Sequence, residues 1–449
     1  MPDELKNHQE YNPTFHIRTF GCQMNVHDSE RMAGLLEEKG YSFVTSQDSA
    51  DLVVINTCSV RDKADQKFFS DLGRLKKVKA LRPEMKIAVA GCIAEQQGRE
   101  IQSRFPYVDV IIGPQNIARL PELLSKTRSC VVATGKSRAY HLKKTPSARA
   151  GGCRAWVPVM YGCDNFCSYC IVPYTRGREL SRPVKDVVDE VRSLADQGYS
   201  EITLLGQNVN SYGKSLTGEV DFSDLLEQVH TVDAIKRIRF VTSHPKDLSE
   251  RLMEAFKDLP KLCNHMHLPV QSGSDRVLER MNRGYSSSEY LDKIERLRRL
   301  VPDMAFTTDI IVGFPGEEEF DFEQTLKVIR SVEYDGIFAF KYSKRPHTRA
   351  RLFNDQVPDD KKGRRLSTVL SIQDEISRRK NRDLVGTVQE ILVEDTEPSC
   401  EGSGNHQMGR TSTNKIVHFE SKNNLTGKLL PILITEGLQH SLKGVMLGN

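Results

Sequence analysis

The chain has 449 residues, 38% hydrophobic and 28% charged, with a net charge of +4 and ten cysteines. That length exceeds what one hydrophobic core fills, so two or three domains are expected; it excludes a minimal stapled scaffold, and the slight basic excess only weakly suggests an anionic partner. No apolar run approaches the ~20 residues of a membrane span, and the polar opening through Lys6 lacks the apolar region of a secretory signal, which predicts a cytoplasmic protein whose cysteines serve metal binding or catalysis rather than disulfides.

From Phe15 an alternating strand runs to Gly21-Cys22 and precedes a helix-like segment over residues 28–39. The pattern repeats twice. Residues 51–55 lead to Cys58 and a charged helical stretch over 61–81, and residues 86–90 lead to Gly91-Cys92 and a further helix. A fourth strand, residues 108–112, has no cysteine. Strand–helix alternation implies a parallel sheet with right-handed crossovers, and such sheets bind ligands beyond the carboxyl ends of their strands. Cys22, Cys58 and Cys92 all fall there. Each alone reads as a buried thiol packing as a small hydrophobe. Three in the same place in successive units read as a metal centre, with Gly21 and Gly91 permitting close backbone approach.

Between Leu123 and Cys163 there is no Asp or Glu, while Lys126, Arg128, Lys136, Arg138, Lys143, Lys144, Arg149 and Arg154 are present. Such a segment is a solvated linker or a surface that tracks phosphates. It closes at Gly151 and Gly152. After the apolar run 156–160 come Cys163, Cys167 and Cys170, spaced Cys-x3-Cys-x2-Cys. Three cysteines this close share one metal centre. Structural zinc takes four protein ligands, whereas an iron–sulfur cube on three thiolates keeps one iron open; a zinc knuckle is the competing reading. With Tyr169 ahead of the last cysteine, the spacing resembles that of the radical S-adenosylmethionine (SAM) enzymes. The resemblance implies a 4Fe–4S cluster on Cys163, Cys167 and Cys170 whose open iron chelates SAM. It makes Tyr169 a candidate to pack on the SAM adenine, or else a shield for the cluster.

Six further strands are expected at residues 157–160, 201–205, 237–241, 265–269, 305–312 and 337–342, which suits a partial (β/α)6 barrel, the architecture the resemblance implies. Their carboxyl ends carry Gly206-Gln207-Asn208, Ser243-His244-Pro245, Gln271-Ser272-Gly273 and Gly313-Phe314-Pro315-Gly316. Gln207 and Asn208 are taken as candidate SAM contacts. Glu179, Ser181 and Arg182 are candidates for contacting SAM or substrate, or are turn residues. A basic helix over 361–382 then gives way to short strands at 388–393, 415–419, 428–434 and 445–447, a small all-β barrel of a kind that often binds RNA. Cys130, Cys153, Cys263 and Cys400 match no ligand pattern and read as structural.

Gly21-Cys22-Gln23-Met24-Asn25, the strand-end cysteines, the Cys163/Cys167/Cys170 motif followed by Pro173-Tyr174-Thr175-Arg176-Gly177-Arg178-Glu179, and the last barrel together resemble the methylthiotransferase family over almost the whole chain. The last barrel looks like a TRAM domain. The fold implied is α/β: an N-terminal parallel-sheet domain over 13–130, a radical SAM barrel over 149–380 and a TRAM-like barrel over 383–447. Gln23-Met24-Asn25 resembles the branch acting on isopentenylated adenosine in tRNA; relatives that modify a ribosomal protein carry Pro-Lys-Asn there, and those acting on threonylcarbamoyladenosine show other residues. One stretch departs from the family: His347 and Arg349 stand where many members have glycine and proline.

The resemblance implies two 4Fe–4S clusters with separate jobs. One, on Cys163, Cys167 and Cys170, cleaves SAM to a 5′-deoxyadenosyl radical. The other, on Cys22, Cys58 and Cys92, holds the sulfur, which a second SAM methylates before transfer to C2 of the base. The partners implied are the tRNA anticodon stem-loop, an electron donor and a sulfur source, with the chain a monomer. The competing functions are methylthiolation of a ribosomal protein side chain or of threonylcarbamoyladenosine in tRNA, and a non-catalytic RNA-binding iron–sulfur module.

Overall fold

The computed structural model describes residues 12–58, 62–126, 129–135, 147–149, 151–394 and 406–447. The chain divides into two compact units: Met1–Ala150 with Tyr174–Gly177, and Gly151–Pro173 with Arg178–Asn449.

The first unit is built on a parallel sheet of β1 (Thr14–Thr19), β2 (Ser42–Phe43), β3 (Leu52–Thr57), β4 (Lys86–Gly91), β5 (Val110–Ile112) and β6 (Val131–Ala133), in the order β2-β1-β3-β4-β5-β6. One row across it pairs Ile17, Val54, Ala88, Val110 and Val131. These pack on one face, while Val53, Ile55, Ile87, Val89 and Ile111 pack on the other. Burial on both faces is why the central strands read as unbroken apolar runs. The first helix, Gln23–Glu37, starts five residues before the segment expected from periodicity. Its polar opening is held by tertiary contacts, and the backbone N–H groups of Asn25 and Val26 donate to the Cys22 carbonyl at 2.9 and 3.2 Å. The helices Asp62–Leu81 and Cys92–Arg104 fall where expected.

In the second unit, β7 (Arg154–Pro158), the small pair β8 (Met160–Tyr161) and β9 (Leu180–Ser181), β10 (Glu201–Leu205) and β11 (Arg237–Phe240) are followed by β12 (His265–His267), β13 (Ala305–Val312) and β14 (Gly336–Lys341). The parallel sheets β11-β10-β7 and β12-β13-β14 are linked by a parallel bridge from Ile238 to Leu262. The six parallel strands thus form an open barrel with β7 and β14 at its edges. Outward-facing Val157, Ile202, Leu204, Ile238, Phe306 and Ile310 share one core with Val187, Leu225, Leu252, Ile294 and Leu326 of the covering helices.

The C-terminal strands β15 (Val388–Glu394), β16 (His406–Thr411), β17 (Ile416–Glu420), β18 (Leu429–Gly437) and β19 (Leu442–Met446) close into a barrel in the order β15-β16-β17-β19-β18. It is seated on the open barrel by arginines of β11. Arg239 donates to the carbonyls of Thr411 and Ser412 at 2.7 and 2.9 Å and pairs with Glu201 at 3.1 Å. Arg237 donates to the Glu390 carbonyl at 2.9 Å, and Cys153 Sγ lies 3.2 Å from the Val393 carbonyl. Many expected basic surface residues are engaged in ion pairs: Lys126 with Glu122, Arg149 with Glu30, Arg154 with Glu394, Arg365 with Glu317 and Lys380 with Asp335. Arg128, Lys136, Arg138, Lys143, Lys144 and Cys400 lie outside the described residues.

Candidate metal centres

In the first unit, Cys22 follows β1 as the residue ahead of the first helix, Cys58 directly follows β3, and Cys92 opens the helix after β4. The parallel register brings these three strand ends side by side, and the thiols of Cys22 and Cys58 are in hydrogen-bond contact. The approach demands glycine. A Cβ on Gly21 (φ +133°) would stand 2.5 Å from the Cβ of Cys58, and one on Gly91 (φ +96°) would stand 2.2 Å from the Thr57 carbonyl oxygen.

Two buried asparagines lock the loops. Asn25 Nδ2 donates to the Thr57 carbonyl at 2.9 Å, and Asn56 Nδ2 donates to the Asn25 carbonyl at 2.8 Å and to Ser29 Oγ at 2.9 Å. Asn25 is therefore a strut that holds the Cys22 turn against the Cys58 turn, whereas Gln23 is exposed. The cation of this site is Arg176. Its guanidinium donates to Asp28 Oδ2 at 2.9 Å and faces Cys92 and Cys22, while its carbonyl accepts from Gln115 Nε2 at 3.0 Å. The hydrogen bond with Cys58 and the Arg176 charge bring the Cys22 thiol down to about 5, whereas burial pushes Cys92 up. Sequence reasoning singled out the cysteines and the glycines but gave Arg176, Asp28 and Asn56 no role; only the fold brings them to the thiols.

In the second unit, Cys163, Cys167 and Cys170 lie on one loop after β8. The loop is pinned at several points. Ser168 N–H donates to the Met281 carbonyl at 2.9 Å, Ser168 Oγ to that of Arg280 at 2.8 Å, and Ala350 N–H to the Ser168 carbonyl at 2.8 Å. Asn282 Nδ2 donates to the carbonyls of Asn165 and Phe166, each at 3.2 Å, and holds Phe166 in the left-handed conformation at φ +46°. Arg283 reaches Cys167 Sγ and the Tyr169 hydroxyl, each at 3.4 Å, and His244 Nε2 stands 4.0 Å from Cys167 Sγ. Burial, with mutual repulsion of the three thiols, raises Cys163 to about 11 and Cys170 to about 12, and burial keeps His244 neutral at about 2. In such a site the thiolate form needs a metal or a cation to stabilise it. The Tyr169 ring packs with Val277, Met281, Phe314 and Tyr342.

Around this loop, Gln207 Oε1 accepts from the Gly162 N–H, Asn208 Nδ2 donates to Asp247 at 2.8 Å, and Glu179 accepts from Ser211 Oγ at 2.7 Å. Gln207 Nε2, Asn208 Oδ1, Glu179 Oε1 and Ser243 Oγ are buried without a protein partner. The orphaned atoms of Gln207, Asn208 and Ser243, beyond the carboxyl ends of β10 and β11, fit a bound polar molecule such as SAM. Among the described residues no three His, Cys, Asp or Glu side chains come close enough to hold a single metal ion. Three cysteine thiols in each unit are a donor set of the chemistry that holds iron–sulfur clusters.

Residues 14–113 match the family model described as Uncharacterized protein family UPF0004, residues 157–329 that of the Radical SAM superfamily, and residues 382–447 that of the TRAM domain. A protein of Carboxydothermus hydrogenoformans named tRNA-2-methylthio-N(6)-dimethylallyladenosine synthase is 46% identical over 438 residues, covering 96% of this chain and 99% of the relative. A protein of the same name from Thermodesulfovibrio yellowstonii is 47% identical over 429 residues, covering 96% and 97%. Among solved structures, the radical SAM methyltransferase TsrM of Kitasatospora setae, with cobalamin and a 4Fe–4S cluster bound, shares the fold at TM-score 0.55 and 12% identity over 87% of this chain and 81% of that one. The match of the relatives over nearly their whole length, with the radical SAM and TRAM models in the expected places, carries the assignment: the chain belongs to the family of the tRNA-2-methylthio-N(6)-dimethylallyladenosine synthases, which are radical SAM methylthiotransferases.

Proposed function

We propose that this enzyme replaces the hydrogen at C2 of N6-dimethylallyladenosine, at position 37 of tRNA beside the anticodon, with a methylthio group. The observation that carries this reading is the pair of thiol triads, one in each unit, in a chain similar to the named synthases along its whole length. SAM and a 4Fe–4S cluster are cofactors of the radical SAM family, and together they supply a radical able to abstract hydrogen from an unactivated C–H bond. Cys163, Cys167 and Cys170 hold that cluster. Tyr169, Gln207 and Asn208 line the place of SAM, with Gln207 Nε2 and Asn208 Oδ1 available to it. Cys22, Cys58 and Cys92 hold a second 4Fe–4S cluster, the place of the sulfur to be transferred, and Arg176 offsets the charge of its thiolates.

In this reading residues 13–130 carry the auxiliary cluster, 149–380 the radical chemistry and 383–447 an RNA-binding barrel. The substrate region is the anticodon stem-loop, with the base unstacked to reach the barrel interior. An electron donor and a sulfur source serve a monomer in the cytoplasm. No helix among the described residues is long and apolar enough to cross a membrane.

The test is anaerobic turnover of the reconstituted chain with SAM, a reductant and an anticodon stem-loop bearing dimethylallyladenosine. Nucleoside mass spectrometry is expected to show the 2-methylthio derivative. SAM cleavage with no sulfur on the RNA would overturn the reading.

A further inference from the structure

The edge strand β14 carries two partly exposed phenylalanines. Ile337 and Ala339 pack on the core beneath the outer helices. By the two-residue period of a strand, Phe338 and Phe340 therefore face the inner side of the open barrel. Phe338 is 51% exposed and Phe340 37% exposed. In register with them on β13 stand Asp309 and Ile311. Ile311 in turn packs with the group of Phe314 and Tyr342 that takes in Tyr169, between two of the cluster cysteines. An apolar wall thus runs from the cluster loop down the open edge of the barrel. Its lower end is polar: the His267 ring meets Phe338 edge to face at 5.8 Å, and His267 Nδ1 lies 3.0 Å from Thr307 Oγ1.

Single exposed hydrophobic residues on a convex surface need no explanation, but aromatic rings lined up on the concave face of a barrel, beside its reactive end, are where a ligand's apolar part is bound. We propose that Ile311, Phe338 and Phe340 receive the dimethylallyl substituent of the target adenosine. This rests on the proposed function and names the part of the site that selects the prenylated base. The substituent is a branched hydrocarbon without a polar atom, and the side chains of Ile311, Phe338 and Phe340 offer it carbon, while Asp309, in register with Phe338 and 3.6 Å from His267 Nε2, marks the polar lower end. The substituted N6 is the exocyclic nitrogen on C6 of the six-membered ring in which C2 reacts, and only N1 separates the two carbons, so a wall that begins at the cluster loop holds the substituent close to the chemistry performed at C2. A hydrophobic pocket distinguishes its ligand by roughly tenfold or more for each buried methylene, enough to separate prenylated from unprenylated RNA.

The experiment measures binding of the reconstituted full chain to two anticodon stem-loops, identical except for the dimethylallyl group, by fluorescence anisotropy. The wild type is expected to prefer the prenylated RNA. The double variant F338A/F340A is expected to lose at least tenfold of that preference, with its affinity for the unprenylated RNA and its iron content unchanged. F338L/F340L, which keeps an apolar wall, is expected to retain most of the preference. A preference that survives in F338A/F340A, in protein that still methylthiolates the prenylated stem-loop, would overturn the wall while leaving the proposed function standing. A wild type that neither prefers nor modifies the prenylated RNA would overturn both.

Discussion

The guanidinium of Arg176 lies 2.9 Å from the carboxylate of Asp28, with side chains only 6% and 2% exposed, and the same guanidinium faces Cys92 and Cys22. A charge taken this far out of water persists only because its partner is there. Removing one member of such a pair costs about 3–5 kcal/mol, whereas replacing both by apolar groups costs much less. R176M is therefore expected to destabilise the apo-protein by that amount in urea unfolding, and R176M/D28L by clearly less. Equal losses in the two variants would mean that the pair is not the unit of stability.

Gly91 is a sharper test of the first triad. A Cβ there would stand 2.2 Å from a backbone oxygen, with no flexible side chain to give way. G91A is expected to lose the iron of the first site, roughly half of the total, as read by iron and sulfide analysis after reconstitution. Gly40 has φ +81° but nothing within 4 Å of a Cβ. G40A should cost only about 1–2 kcal/mol of backbone strain and keep all the iron.

His265 predicts a pH dependence. Its ring nitrogen Nε2 lies 3.1 Å from Thr307 Oγ1, and burial, reinforced by the Arg239 charge, lowers its pKa to about 3. The unfolded chain takes up this proton at about pH 6.5. Between those values the unfolded state binds more protons than the native state, so stability is lost as the pH falls. The wild type is expected to lose about 1.4 kcal/mol per pH unit more than H265Q across that window. Parallel urea-midpoint curves for the two proteins would contradict this.

Asn208 is held by Asp247 on one side, while its Oδ1 has no protein partner. If that oxygen accepts from SAM, N208A should weaken SAM binding roughly threefold to tenfold, the worth of one hydrogen bond. Equilibrium dialysis against reconstituted protein reads it, and an unchanged affinity removes Asn208 from the site.

What could be read from the sequence follows from how local each signal is. The strand ends carrying Cys58 and Cys92 were legible because β3 and β4 are buried on both faces and end in polar residues or glycine, and the one carrying Cys22 because β1 alternates and is followed by Gly21. The strand β16 was not: its inward positions are Gln407, Gly409 and Thr411 rather than aliphatic residues, so the alternation carries no hydrophobic signal. Nor does the Gln23–Glu37 helix announce its start, because Asn25 and Asp28 are buried there as polar struts instead of apolar faces. Arg176 read as one of several arginines after the second motif, and its pairing with Asp28, 148 residues away, is a property of the fold. Phe338 and Phe340 looked like ordinary strand hydrophobics until the structure separated them from Ile337 and Ala339. His347 adopts φ +64°, the left-handed region in which a glycine would meet no steric cost.

The central claim is that one chain holds two cubes, and it is tested most directly by iron and sulfide per chain in anaerobically reconstituted protein, comparing wild type with the triple Cys22/Cys58/Cys92→Ala variant. About eight irons falling to about four is the predicted result. About four irons in the wild type, all retained by the variant, would contradict it, leaving the first unit without a cluster and the inserted sulfur without a place.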